Sequence, residues 1–434
     1  MVSTLQIDLL KLIGFTPAAA FYQHSIFMGK TIILTGTFCH VNKGDAAMQS
    51  TMAYLLAQRY AGSEVVMSAP FPDEDRQFYA PRQVIRCHRR RLIYSAFQCL
   101  SGWLWKKTGH SVWLLDEEMR HYAKADLIVD LSGDMLTEDY GPHVALSHFY
   151  PILLANAMGK RVFLCAQSIG PFKYTKRLAS YILNHAGAVT VRDQVSLDYL
   201  QSIGVTPRRL GLTADVAFLM EPEDVAIGRD RLLQLIGEDC VGPVLGVSLS
   251  FLIEKHYRRK CPVAHKESFV ELMARSLDAW AERYEGVVVF FAHVTGPGAQ
   301  KDDREACKCV AQEMKHSAFV LEEDLSPSAI KGTIRHCDLF FGARMHANIA
   351  ALSSFVPTIA ISYSHKTPGI MNQLGCGEFV LPIEALSDSL IESAFARIHK
   401  EREEVRSRLH QRIPEIRELS SLNLERVDAL LALD

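Results

Sequence analysis

The sequence lacks the features that mark several protein classes. No apolar run approaches the ~20 residues a helix needs to cross a bilayer, and a stretch such as GVVVFFAHV is less than half that length. The opening stretch, MVSTLQIDLLKLIGFTPAAAFYQHSIFMGK, has no basic leader followed by an unbroken apolar segment and cleavage site, so it does not read as a secretion signal. Neither sign of charge is in excess. There are 47 Lys and Arg against 49 Asp and Glu, a formal net charge of -2, which argues against a nucleic-acid-binding chain. The cysteines form no paired CxxC motifs, so no structural zinc site is expected and a reducing cytoplasm fits. Internal repeats and low-complexity segments are also missing.

What remains is a globular composition, 48% hydrophobic and 22% charged over 434 residues, enough for two domains. From Thr31 onward, short β-branched runs alternate with amphipathic stretches, the rhythm of an α/β chain with parallel strands and crossover helices. TIILTG, EVVMSA, ADLIVDLSG, RVFLCAQ and AVTVRD are expected strands of a first sheet. PVLGVSLS, VVVFFAHV, AFVLEED, DLFFGARM, TIAISYS and EFVLPI are expected strands of a second. The expected layout is an extension over 1–30, a first domain over 31–225 with an insertion about 80–120, and a second domain over 240–385, with the boundary in 221–242. A helical tail over 386–434 completes it; its charge-rich stretches read as a solvated face, and Pro414 should kink or break it.

Open α/β sheets bind ligands beyond the carboxyl ends of their strands, so the loops there are the place to look. TFCHVNKGD follows the first strand. Asn42, Gly44 and Asp45 either meet a polar ligand or simply make the turn and cap the helix, with Asp45 as N-cap. In LSGDMLTEDYG, Gly133 with Asp134, Glu138 and Asp139 either contact sugar hydroxyls or form a solvated turn. AQSIGPFK ends a strand at Gln167, and Arg192 with Asp193 reads as a buried ion pair. The strongest signal is CDLFFGARMHANIAAL followed by VPTIAISYSHKTPGIMNQLG. There Gly342, Arg344 and His346 sit at one strand end and Tyr363, His365 and Lys366 at the next, so cations and free helix amides converge on an anion.

These segments, in this order, resemble the polysaccharide pyruvyl transferase family from about residue 31 to 380, most closely its colanic-acid type. The matching residues are N-x-G-D at Asn42 to Asp45, Ser132 to Asp134, Gln167 to Phe172, Val191 to Ser196, the lone Asp215, Gly342 to His346, and Tyr363 to Met371. The resemblance implies two Rossmann-like domains facing across a cleft, as in GT-B glycosyltransferases. It implies phosphoenolpyruvate as donor, held by Arg344, His346, Lys366, Gly342 and Tyr363 of the second domain. The acceptor is then a sugar, free or lipid-linked, on the side of Asn42, Gly44, Asp45, Gly133 and Gln167. His346 is the expected acid or phosphate partner, with Asp45 or Asp134 as base, and no metal or organic cofactor is required. Two departures stand out. Ser132 replaces a family glycine, and Ser250 stands where many members place an arginine, leaving Lys255, Arg258 or Arg259 to substitute.

The insertion carries RCHRRR at 86–91 and GWLWKKTGHSVW at 102–113, which suit an anionic lipid surface or, alternatively, a surface helix with buried tryptophans. A homo-oligomer is compatible with the sequence. Rival readings are a glycosyltransferase using a nucleotide sugar and a non-catalytic scaffold in polysaccharide assembly.

Overall fold

The computed structural model describes residues 29–433, except 207, 208, 241, 263–266, 297, 299, 300, 364, 365 and the Lys366 side chain. All but the end of the expected extension, together with His365 and the side chain of Lys366, therefore lies outside the described residues.

Two parallel sheets form the frame. The first contains β1 (Thr31–Thr35), β2 (Glu64–Ala69), β3 (Val84–Arg86), β4 (Leu127–Asp130), β5 (Val162–Gln167), β6 (Ala188–Val191) and β7 (Leu210–Leu212), in the order β3-β2-β1-β4-β5-β6-β7. The second contains β8 (Val244–Ser248), β9 (Val287–Phe291), β10 (Ala318–Leu321), β11 (Leu339–Gly342), β12 (Thr358–Ser362) and β13 (Val380–Pro382), in the order β10-β9-β8-β11-β12-β13. Both are doubly wound, as the alternating pattern implied, and the two α/β domains have the GT-B arrangement. β3 and β7, three residues each, were not expected; both are edge strands of the first sheet whose short apolar runs lie next to arginine-rich segments.

Strand order reverses between β1 and β4 in one sheet and between β8 and β11 in the other, which opens a crevice at their carboxyl ends. The two halves are also fused beside it. Met48 and Phe218 of the first half pack in one apolar cluster with Val247, Phe341 and Ile361 of the second. An isolated antiparallel bridge joins Asn42 to Val294.

The C-terminal helix, Asp388–Leu431, ties the halves a second time. Its first part buries Phe395, Ile398 and Leu409 in the second domain's core, and its last turns bury Val427, Leu430 and Leu431 against the first sheet. The expected break at Pro414 does not occur, because buried Ile413 and Ile416 anchor the chain on both sides of it. The helix's charges do face solvent, paired as in Arg397–Glu401 and Arg408–Glu404.

Candidate functional site

The loop after β1 is built for close approach. Asn42, not Asp45 as expected, caps the Lys43–Arg59 helix, its side chain accepting from the Gly44 amide at 3.1 Å. Asp45, one turn in, reaches back to accept from the Phe38 amide at 2.8 Å. The loop is stitched to the one after β9: the Lys43 amide donates to the His293 carbonyl at 2.8 Å, the Thr295 amide donates to the Val41 carbonyl at 2.9 Å, and the buried Lys43 ammonium pairs with Asp324.

Gly44 lets the second domain's imidazole in. A Cβ there would sit 2.3 Å from His346 Nδ1, so only glycine permits this contact. On the other side of the ring, His346 Nε2 lies 3.5 Å from Asp215 Oδ2. Burial alone would raise the Asp215 carboxyl, but the Arg192 guanidinium hydrogen-bonded to it and His346 beside it hold it well below the usual carboxylate range. Asp215 is thus a fixed anion facing His346. Asp45 differs: burial pushes its carboxyl up to about 6, with the Phe38 amide, His346 and Arg89 pulling it down and Asp134 pushing it further up.

Asp134 heads a chain that crosses between the halves. Tyr140 donates to it at 2.9 Å, and Tyr140 in turn lies in hydrogen-bond reach of Tyr363 at the end of β12. Burial and the Asp134 charge push the Tyr363 phenol up to about 12, so it stays protonated. Its ring stacks on His256 at 4.7 Å between centroids.

Arg344, which precedes the helix Met345–Leu352, sends Nε and Nη2 to the two oxygens of buried Asp303, at 2.9 and 2.7 Å. It also lines a cavity of about 340 Å³, together with Phe251, Leu252 and Lys255 from the start of the Phe251–Lys260 helix, Lys301, and Asn42 of the first domain. Ser250 caps that helix, accepting from the Leu252 amide at 3.1 Å. Three cations therefore line one space at the crevice, with the Asp303 carboxylate that pairs with Arg344 on the same wall. Of the three expected substitutes for the arginine missing at Ser250, Lys255 is the one on the cavity, whereas Arg258 is tied to Glu254 on the surface.

Several expected contacts are occupied elsewhere. Gln167 is fully buried and spends its amide nitrogen on Asp130, at 2.9 Å to the carbonyl and 2.6 Å to Oδ1, so it braces β4 rather than facing a ligand. Gly342 is buried under the Asn348 amide, which would lie 1.8 Å from any Cβ there. Arg192 pairs with Asp215, not with Asp193, which instead caps the Gln194–Ser202 helix. Glu138 binds the amides of Lys173, Tyr174 and Thr175. Gly133, at φ +63, packs on Met48, while Ser132 has no positive φ, so that departure from the family glycine carries no backbone strain.

Residues not foreseen as site members are Asp303, Tyr140, Lys301 and His293. His293 is buried at the end of β9, its Nδ1 unpartnered among the described residues; burial, with His346, Arg344 and Lys43 nearby, pushes it down to about 3, so it is neutral. Among the described residues one group has metal-ligand spacing, Cys39, His40 and Asp75. Asp75 Oδ1 takes the His40 amide at 2.8 Å and the Cys39 thiol at 3.3 Å, and His40 Nδ1 lies 2.8 Å from it, so hydrogen bonds already brace the loop through this carboxylate.

Known proteins share the fold, and a family profile matches most of the chain. UDP-GlcNAc 2-epimerase from Neisseria meningitidis, solved with UDP-GlcNAc, superposes with a TM-score of 0.57 at 12% identity, covering 92% of this chain and 99% of that one. Anabaena HepE, solved with UDP-glucose, gives 0.56 at 12% identity, covering 93% and 100%. The amylovoran biosynthesis protein AmsJ of Erwinia amylovora is 23% identical over 270 residues, 61% of this chain and 63% of its own length, so the match spans under two thirds of that relative. Residues 42–365 match the sequence profile of the polysaccharide pyruvyl transferases, a span that takes in Asn42, Asp134, Asp215, Arg344, His346 and Tyr363, and the chain belongs to that family.

Proposed function

We propose that the protein transfers a pyruvyl group from phosphoenolpyruvate to two neighbouring hydroxyls of a sugar in a bacterial exopolysaccharide or its lipid-linked precursor, forming a cyclic ketal. The observation that carries this reading is the meeting of Lys255, Lys301 and Arg344 on one cavity. Phosphoenolpyruvate has a carboxylate and a phosphate, and a cluster of cations is what both groups need. Lys366 is a further proposed donor contact. The polysaccharide setting is supported by family membership and by the role that AmsJ's name gives that protein.

In this reading His346, held by Asp215, protonates the vinyl carbon, and the adjacent carbon becomes cationic. A sugar hydroxyl adds there while Asp45 or Asp134 takes its proton. Phosphate then leaves and the second hydroxyl closes the ring. Of the two hydroxyl protons, one balances the proton now in the new methyl group and the other leaves on phosphate. Tyr140 and Tyr363 keep Asp134 oriented at the junction.

The test is phosphate release with phosphoenolpyruvate and fractionated lipid-linked oligosaccharides, run beside calorimetry with phosphoenolpyruvate and with UDP-sugars. Release that requires both substrates supports the assignment. Binding of a UDP-sugar with indifference to phosphoenolpyruvate would overturn it in favour of glycosyl transfer.

A further inference from the structure

The helix Leu92–Thr108 lies in the insertion of the first domain. It buries Ser95, Gln98, Ser101 and Gly102, small or polar residues, against the protein. Cys99 and Trp105 also pack on the first domain's core, but five large apolar side chains point the other way: Ile93 is 79% exposed, Phe97 60%, Leu100 56%, Trp103 48% and Leu92 46%. At ~100° per residue these five fall within an arc of about 140° along a helix roughly 25 Å long. That orientation inverts the usual surface helix, whose apolar stripe faces the core.

The charges on the helix and at its two ends are all of one sign. Exposed Arg90 and Arg91 precede the helix, exposed Lys106 and Lys107 occupy its last turn, and no acidic residue lies between them. Lys107 falls on the stripe's own arc. In a chain with a net charge of -2 this is a local basic concentration, not a reflection of bulk composition. Arg89 is not part of it. It is buried, donating to the Gly36 carbonyl at 2.6 Å and the Thr37 carbonyl at 2.8 Å. This corrects the expectation that grouped Arg89 with the lipid-facing arginines, and it couples the helix rigidly to the loop after β1 that carries Asn42 and Asp45.

We infer that this helix lies in the plane of an anionic lipid surface, with its apolar stripe among the acyl-chain ends and Arg90, Arg91, Lys106 and Lys107 on the headgroups. A water-facing stripe of this size is unfavourable unless covered, and the basic rim selects an anionic bilayer over an uncharged partner. Arg89 then fixes the crevice at a set distance and angle from the membrane. The inference goes beyond the catalytic reading and does not depend on it.

The experiment is co-sedimentation of the full-length protein with vesicles of phosphatidylcholine alone and with phosphatidylglycerol added. The protein pellets with the anionic vesicles, and high salt weakens the binding. Phe97→Glu and the pair Lys106→Glu with Lys107→Glu each lower vesicle affinity by about tenfold or more while circular dichroism stays unchanged, since all three side chains are exposed. Protein that stays in the supernatant with anionic vesicles overturns the proposal. So does a dimer in light scattering that Phe97→Glu dissociates without vesicle binding, because a second copy then covers the stripe. Pelleting that these substitutions leave unchanged overturns it too. Phosphate release with a detergent-solubilised acceptor is read separately, so loss of either result leaves the other standing.

Discussion

His346 Nε2 of the second domain stands 3.5 Å from Asp215 Oδ2 of the first, and the same carboxylate is hydrogen-bonded to Arg192. The catalytic imidazole proposed here is therefore oriented across the junction of the two halves. Its Nδ1 edge packs against residue 44, which leaves room for the ring only because it has no side chain.

Replacing His346 with alanine removes the proton carrier and should cut turnover by ~10²-fold or more. Asp215→Asn keeps the shape but not the charge, so turnover falls while the donor KM moves little. Asp215→Ala also leaves Arg192 buried without its anion, a loss of about 3 kcal/mol or more. Steady-state kinetics with thermal melts separates these effects. Asn at 215 with full turnover would remove the positioning role.

Gly44→Ala tests the same contact from the other side. The added methyl would overlap His346 Nδ1 at 2.3 Å, and Gly44 is buried in a helix start that cannot shift freely. Turnover should fall by about tenfold or more although alanine is the better helix former. An alanine variant with parental turnover would show that the imidazole does not act from this position.

How much of this was readable beforehand follows from range. Most of the strands and the loops at their ends show as short apolar, β-branched runs between amphipathic stretches, a local pattern. Arg344, His346 and Asp45 stand out because they lie on the loops beyond strand carboxyl ends, where open α/β sheets bind ligands. The partners do not stand out. Asp303 reaches Arg344 across 41 positions and Asp324 reaches Lys43 across 281, and no short window contains both members of either pair. Gln167 and Gly342 were expected at the site because they end strands, but a strand end can also point inward, and both lie buried against Asp130 and Asn348. Asp215 was visible as a motif residue, yet its use depends on β7 and on the fold bringing His346 to it.

Arg344→Lys keeps one positive charge and loses the fork that Asp303 receives. Asp303, buried and also accepting the Val294 amide at 3.0 Å, is left with a poorer partner. The melting temperature should drop and the donor KM should rise about tenfold. An unchanged donor KM counts against Arg344 as part of the donor clamp, whatever happens to stability.

Lys255→Ala and Lys301→Ala remove cations that line the cavity, and no ion pair of either is among the described contacts. Each should raise the donor KM by about tenfold and leave turnover within a few fold, since they bind the anion without moving a proton. If Lys255 stands in for the arginine absent at Ser250, Lys255→Arg keeps the donor KM near the parental value. A KM indifferent to both alanines would place the donor outside this cavity.

Asp45, with its carboxyl raised to about 6, gives opposite signs for activity and stability. As a base it works ionised, so kcat/KM should climb as pH rises through about 6 and then level. Stability runs the other way. The folded value lies above the unfolded reference near ~4, so the group's favourable contribution is complete below that reference and lost as pH rises through about 6. Asp45→Asn can still accept the Phe38 amide, yet it has no charge to bury. The variant should lose the acidic limb of the rate profile and gain melting temperature over the parent at pH 8 relative to pH 4. A limb that persists in the asparagine variant assigns the base to another group, with Asp134 the next to substitute. A melting difference that ignores pH would mean the Asp45 carboxylate is solvated rather than enclosed beside His346.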